Sequence, residues 1–182
     1  MDDAFGLLIT WSCYGTWLPG DRRGYVSDTF LPDGTRKPKQ NTPGTPYTAD
    51  DAHTRDRARK RQKGRTVYLT RDQATAVAEG LVEAARQRAW RILRGAIMIS
   101  HVHVVVIDCP EDGPLVRRGL KGPSQAKLSE LAGGPQRWWT RGGSDRYLRD
   151  EASIQAAIDY VAAQKGILAE IIDMEVGAPH SQ

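Results

Sequence analysis

The sequence predicts an α+β domain, an antiparallel sheet with its helices packed on one face. Three observations point there. Short apolar, β-branched segments alternate with stretches of helical period in the order strand, helix, strand, strand, helix, strand, helix. A chain of 182 residues has room for one ordinary domain with its own core, so the expected organisation is a single domain over 1–182. Hydrophobic residues make up 40% and charged residues 26%, a globular composition, while 18 Gly and 10 Pro require several loops and argue against a pure helical bundle.

Residues 5–11, FGLLITW, are apolar and β-branched and fit a buried strand that opens the domain. From Pro19 to about Gly64 the chain turns to Gly, Pro, Asp and Thr with no sustained period, which predicts a long loop insertion or lid at about 20–64 rather than a packed element. Residues 66–69, TVYL, fit a short strand, and Thr70 or Asp72 can cap the helix that follows. Over 71–88, Ala74, Val77, Ala78, Leu81, Val82 and Ala85 recur at the spacing of an amphipathic helix with one face on a sheet. Trp90–Ile99 and Val102–Ile107, joined through Ser100 and His101, read as the two strands of a central hairpin.

Asp112–Leu131 reads as two helical pieces, PLVRRGLK and PSQAKLSEL, with Gly122-Pro123 as a break or a fresh start. Beyond Gly133-Gly134-Pro135, short strands are expected near Trp138-Trp139 and, after Gly142-Gly143, near Tyr147-Leu148. Asp150 caps a helix from about Glu151 to Gln164 with the apolar stripe Ile154, Ala157, Ile158 and Val161.

The formal net charge of +4 permits a polyanionic partner without demanding one. Its distribution says more. Arg55–Arg65, RDRARKRQKGR, holds seven basic residues and one acid, a pattern that also suits a solvated face, and a second basic group follows at Arg117, Arg118, Lys121 and Lys127. Glu170, Asp173 and Glu175 make the last segment acidic. No apolar run approaches the ~18 residues of a membrane span, and Met1-Asp2-Asp3 is acidic where a signal peptide is positive, so the expected location is cytoplasmic. Cys13 and Cys109 lie far apart and form no C-x-x-C, so neither a zinc knuckle nor a disulfide framework is indicated and two buried thiols are expected.

Alternate residues of a strand share a face, so His101 and His103 of H-V-H-V-V-V project together, ~7 Å apart along the chain, while Val102, Val104 and Val106 face the core. Two imidazoles at that spacing can share a divalent metal, although a pair of histidines on a half-exposed sheet face has the same pattern. The chain has four histidines, and the other two, His53 and His180, fall in a loop and the tail. On the last helix Tyr160 and Gln164 stand four residues apart, hence on one face beside the apolar stripe. A tyrosine there also suits a rim position, with its ring buried and its hydroxyl wet. Packed beside the histidine strand, that helix brings a phenol and a neutral amide oxygen to the same ion, and the amide suits Mg²⁺ or Mn²⁺ more than zinc. A phenol is a poor nucleophile while protonated; attack on a metal-polarised phosphodiester leaves a covalent phosphotyrosine.

The His101-Val102-His103 strand, with Tyr160 and Gln164 four residues apart on a later helix, resembles the HUH-superfamily single-tyrosine transposases. The chain is especially similar to the REP-associated and related transposase-like proteins through LITWSCYGTWLPGDRRG, Leu8–Gly24, and WWTRGGSDRYL, Trp138–Leu148. That resemblance implies a ferredoxin-like, RRM-like sheet and a DNA nickase and strand-transferase. The enzyme would take single-stranded DNA with hairpin elements and pass through a 5′-phosphotyrosine. It further implies His101, His103 and Gln164 as ligands of Mg²⁺ or Mn²⁺ and Tyr160 as nucleophile, and leaves homodimer and monomer both open. For DNA contacts the expectation is Arg117, Arg118, Lys121 and Lys127 on phosphates, Arg141 beside them, and Trp138 or Trp139 stacked on unpaired bases. Consecutive strand residues face opposite ways, so at least one of the two tryptophans is expected in the core. The competing reading is a non-catalytic RRM-like nucleic-acid-binding domain. A nucleotide hydrolase using H-x-H-x-H is disfavoured by Val105 at the third position.

Overall fold

Strand β1 (Gly6–Ser12) is buried over most of its length because it pairs on both sides, and in the computed structural model it is the first element of the described residues, which are 6–23, 25, 29–30, 35–37 and 46–179. Phe5, His180 and much of the expected lid, including 26–28, 31–34 and 38–45, lie outside them. The chain forms two compact units, Tyr14–Thr66 and the sequence on either side of it.

Within 14–66, the two-residue strands β2 (Thr29–Phe30) and β3 (Arg36–Lys37) pair antiparallel, and helix α1 spans Ala52–Lys60. The segment expected to be loop therefore carries a helix. Asp51 caps it, accepting the His53 N–H at 3.0 Å and the Thr54 hydroxyl. The period was hard to read because the inward stripe is Thr54, Ala58 and Gln62, almost without apolar area.

In the larger unit, β1 is followed by α2 (Arg71–Gln87), β4 (Arg91–Met98), β5 (His101–Ile107), α3 (Gly113–Leu131), β6 (Ser144–Leu148), α4 (Glu151–Ala162), β7 (Ile167–Ile172) and β8 (Glu175–Gly177). One antiparallel sheet results, in the order β6-β1-β5-β4-β7-β8. Its first four strands with α2 and α3 make the split β-α-β-β-α-β arrangement of ferredoxin-like folds. The α+β class and antiparallel sheet are as expected.

The distribution of helices differs in one respect. Helices α2 and α3 cover one face through a core that includes Ile9, Trp11, Val77, Leu81, Val104 and Leu120. Helix α4 lies on the opposite face, where Leu8, Ala96, Met98, Val105 and Leu148 pack with its Ala157 and Val161. The reason is that this second face is itself apolar and needs a cover, which the α4 stripe supplies.

Local signals account for most boundaries. A reciprocal capping box of Thr70 and Gln73 starts α2, and Asp150 with Ser153 does the same for α4. Helix α3 runs unbroken through Pro123 instead of splitting in two. Close packing on α2 holds it there, since a Cβ on Gly80 would sit 3.0 Å from the Ser124 Cα. Val67–Leu69 forms no strand, although the Leu69 N–H donates to the Ile99 carbonyl at 2.8 Å. Helix α4 ends at Ala162, short of Gln164, because the chain turns through Gly166 at φ +71° into β7. Strands β7 and β8 were not expected. Among the described residues, no helix is long and apolar enough to cross a membrane.

Candidate active site

The site is set by register on the sheet face beneath α4. Across β1 and β5, Thr10 pairs with His103 and Ser12 with His101, while Ala96 of β4 pairs with His103 from the other side. Directly opposed residues share a face, so both imidazoles rise on the α4 side among hydroxyls and a small side chain. Their ring centroids are 5.0 Å apart and nearly perpendicular. From α4 the Tyr160 ring meets His103 edge-on at 5.4 Å. His103 is only 6% exposed, whereas Tyr160 is 49% exposed, so the phenol stands between the buried imidazole and solvent.

Hydroxyls engage both imidazoles at Nδ1. The Thr10 Oγ1 and His103 Nδ1 are hydrogen-bonded at 2.7 Å, and the Ser100 Oγ and His101 Nδ1 at 3.0 Å. With Nδ1 of His103 so committed, Nε2 is its nitrogen for a ligand. Burial, and then the neighbouring His101 charge, pull the His103 pKa from 6.5 down to about 4. His103 is therefore neutral at neutral pH, the form that binds a metal.

Gln164 lies just past the end of α4 rather than on its last turn. Its side-chain Nε2 donates to the Tyr160 carbonyl at 3.0 Å, which ties it to the turn that carries the phenol. Among the described residues no group of three His, Cys, Asp or Glu side chains converges, so a cation here would draw on the imidazole pair, an amide oxygen and substrate oxygens. Two neutral nitrogens plus one neutral oxygen fit a divalent ion with open coordination positions.

No protein-family model matches the chain, and no curated protein matches it. Among solved structures, a REP-associated tyrosine transposase bound to a REP hairpin is similar to this chain, at 13% identity and a TM-score of 0.46 over 89% of this chain and 67% of that one.

The side chains expected to hold DNA are not gathered at this site. Helix α3 lies on the sheet face away from the histidines, and most of its basic residues are occupied. Arg117 forms an ion pair with Asp145. Lys121 donates to the Thr140 and Gly142 carbonyls at 2.8 Å each, and burial pulls its pKa down to about 8. Lys127 pairs with Glu83 at 3.1 Å, while Arg118 and Arg141 are exposed.

Trp138 requires a correction. It is 1% exposed and its indole N–H donates to the Ser129 hydroxyl at 3.0 Å, so it is a core residue and presents no face to a base. Trp139 is buried too, edge-on to Trp11 at 5.9 Å. Strand alternation does not separate the pair because residues 138–139 lie outside a regular strand, held by the single bridge Cys13–Trp139. Cys13 is buried and Cys109 half-buried; burial raises both thiols to about 12, leaving them unreactive.

Sequence reasoning missed Thr10, Ser100 and the ion pair of Arg94 with Glu170. Glu170 opposes Ala96, two strands from His103 in the same cross-strand row, and meets Arg94 at 2.5 Å while only 1% exposed. An acid at the centre of the apolar run ILAEII was the available signal; the two hydroxyls become visible only once register is known.

Proposed function

We propose that this protein is a metal-dependent single-stranded DNA nickase and strand-transferase of the transposase type, acting at hairpin elements through a 5′-phosphotyrosine. The observation that carries the reading is the meeting of His101, His103 and Tyr160, two imidazoles and a phenol from separate elements on one face of the sheet. The motif resemblance carried by Leu8–Gly24 and Trp138–Leu148 supports DNA hairpins as the substrate.

In this mechanism Tyr160 is the nucleophile. Its Oη forms a bond to phosphorus as the bond from phosphorus to O3′ breaks; the phenolic proton passes to solvent and O3′ takes one up, giving a free 3′-OH. The number of phosphoester bonds is unchanged, so attack by another 3′-OH restores a phosphodiester and releases the tyrosine. His101, His103 and Gln164 would hold Mg²⁺ or Mn²⁺, which supplies charge neutralisation at the phosphoryl oxygens. Thr10 and Ser100 orient the two rings through Nδ1, and the half-exposed Tyr160 leaves an approach for a strand.

The test is covalent capture. Incubation with hairpin-tailed single-stranded oligonucleotides and Mn²⁺ should yield a protein–DNA adduct resistant to denaturant, absent in Tyr160→Phe and after chelation. Folded protein that binds such DNA yet forms no adduct under any divalent metal would replace this reading with the non-catalytic binding domain.

A further inference from the structure

We infer that the basic ridge formed by α1 and the residues just after it is a binding surface for double-helical DNA. The inference rests on the proposed function and deepens it by assigning a surface of this chain to the duplex part of the substrate. Removing the seven basic residues and one acid of Arg55–Arg65 from the chain's 26 and 22 leaves 19 basic against 21 acidic residues elsewhere. The positive character of the whole protein therefore resides in eleven consecutive positions. A charge run that only keeps a surface solvated has no need of such concentration, and a polyanion does.

The structure adds two facts. First, the charges are displayed rather than spent. Helix α1 buries Thr54; Ala58 and, beyond the helix end, Gln62 are half-buried, and Arg59, Lys60, Arg61, Lys63 and Arg65 are all exposed. None of those five forms an ion pair among the described residues. Most basic residues of α3 behave in the opposite way, with Arg117, Lys121 and Lys127, though not Arg118, bound to partners among the described residues. Second, the ridge is anchored. Asp51 caps the start of the helix, the Lys63 N–H donates to the Tyr14 hydroxyl at 3.0 Å, and the Gln62 amide donates to the Gly64 carbonyl at 2.9 Å and the Thr66 hydroxyl at 3.1 Å. Cations on a fixed backbone lose less freedom on binding than those of a loose tail.

Charge density selects the duplex. The nine residues of α1 extend ~13.5 Å. B-DNA carries a charge every ~1.7 Å of axis, or about eight over that length, against an excess of three on α1 itself and six over Arg55–Arg65.

The experiment measures affinity of the full chain for a 20-base-pair duplex of arbitrary sequence by fluorescence anisotropy, in chelator, from 50 to 200 mM salt. Chelation makes the readout independent of cleavage, so failure of the Tyr160 chemistry would leave it interpretable. R59Q/K60Q/R61Q/K63Q/R65Q should bind at least ~30-fold more weakly at low salt, with a log–log salt slope shallower by about 2 to 4.5. R59K/R61K/R65K, which keeps the charge, should retain the slope. If the five-fold variant does not fold, K60Q/K63Q on the outer face should still lower the slope by about 1 to 2. An unchanged slope in the folded variants overturns the inference. So does equal affinity at matched salt for vesicles containing 30% phosphatidylserine, which would mark a surface for anionic lipid.

Discussion

His103 is the residue on which the site's electrostatics turn. Enclosed by Thr10 on one strand, Ala96 on another, His101 on its own and Tyr160 from the helix above, it is shifted by burial and by His101, with no acid among the described residues acting to stabilise an imidazolium. Burial holds its pKa near 4 in place of 6.5. Between those values the unfolded chain binds a proton that the folded protein refuses. Stability associated with this residue is thus complete above pH 6.5 and declines as the pH falls toward 4. The loss between pH 7 and pH 5 is roughly 2 kcal/mol by linkage. Urea unfolding of the metal-free protein at the two pH values measures it, with His103→Gln as reference because glutamine does not titrate. The wild-type protein should lose that much more than the variant, and parallel losses would show that the imidazole is protonated in the fold without penalty.

At the scale of elements, what was legible depended on whether period and punctuation agreed. Helix α2 and the hairpin of β4 and β5 were readable from their 3.6 and 2.0 periods, and α4 from Asp150 and its stripe. The β7–β8 hairpin was not. Its turn is Asp173-Met174, both at positive φ (45° and 69°), without the Asn-Gly or Asp-Gly that usually marks such a turn. The same hairpin brings Glu170 to Arg94, a pair enclosed on the α4 side of the sheet. Buried pairs cost desolvation when formed and more when broken. Arg94→Met should therefore destabilise the fold by about 3 to 5 kcal/mol, and Arg94→Met/Glu170→Met should recover most of that. Denaturant midpoints of the two variants decide the matter; a double variant as unstable as the single would show that packing, not the loss of the Arg94 charge beside the Glu170 carboxylate, is responsible.

Across the whole molecule, the chemistry-bearing motif was readable because its members announce themselves by spacing: His-Val-His on an alternating strand, and Tyr160 on a stripe-bearing helix. What was not readable is that α4 brings its tyrosine there by crossing the face opposite α2 and α3, since the expectation put all helices on one face. That crossing ties a central strand to the last helix, which has a thermodynamic consequence if both contribute to one ion. A ligand that binds only the folded state stabilises it by about 2.7 kcal/mol at a hundred times its Kd, and for a chain of this size that corresponds to ~5 to 10 °C in Tm. Mn²⁺ should therefore raise the melting temperature of the DNA-free protein, and chelation should reverse the rise. The variants apportion the site: His101→Ala/His103→Ala should abolish the shift, Gln164→Ala should reduce it, and Tyr160→Phe should preserve it, because the phenol acts as nucleophile rather than ligand. A full shift in the double histidine variant would place the ion elsewhere, and a full shift in Gln164→Ala would leave the amide solely in its observed role, bonded to the Tyr160 carbonyl at the end of α4.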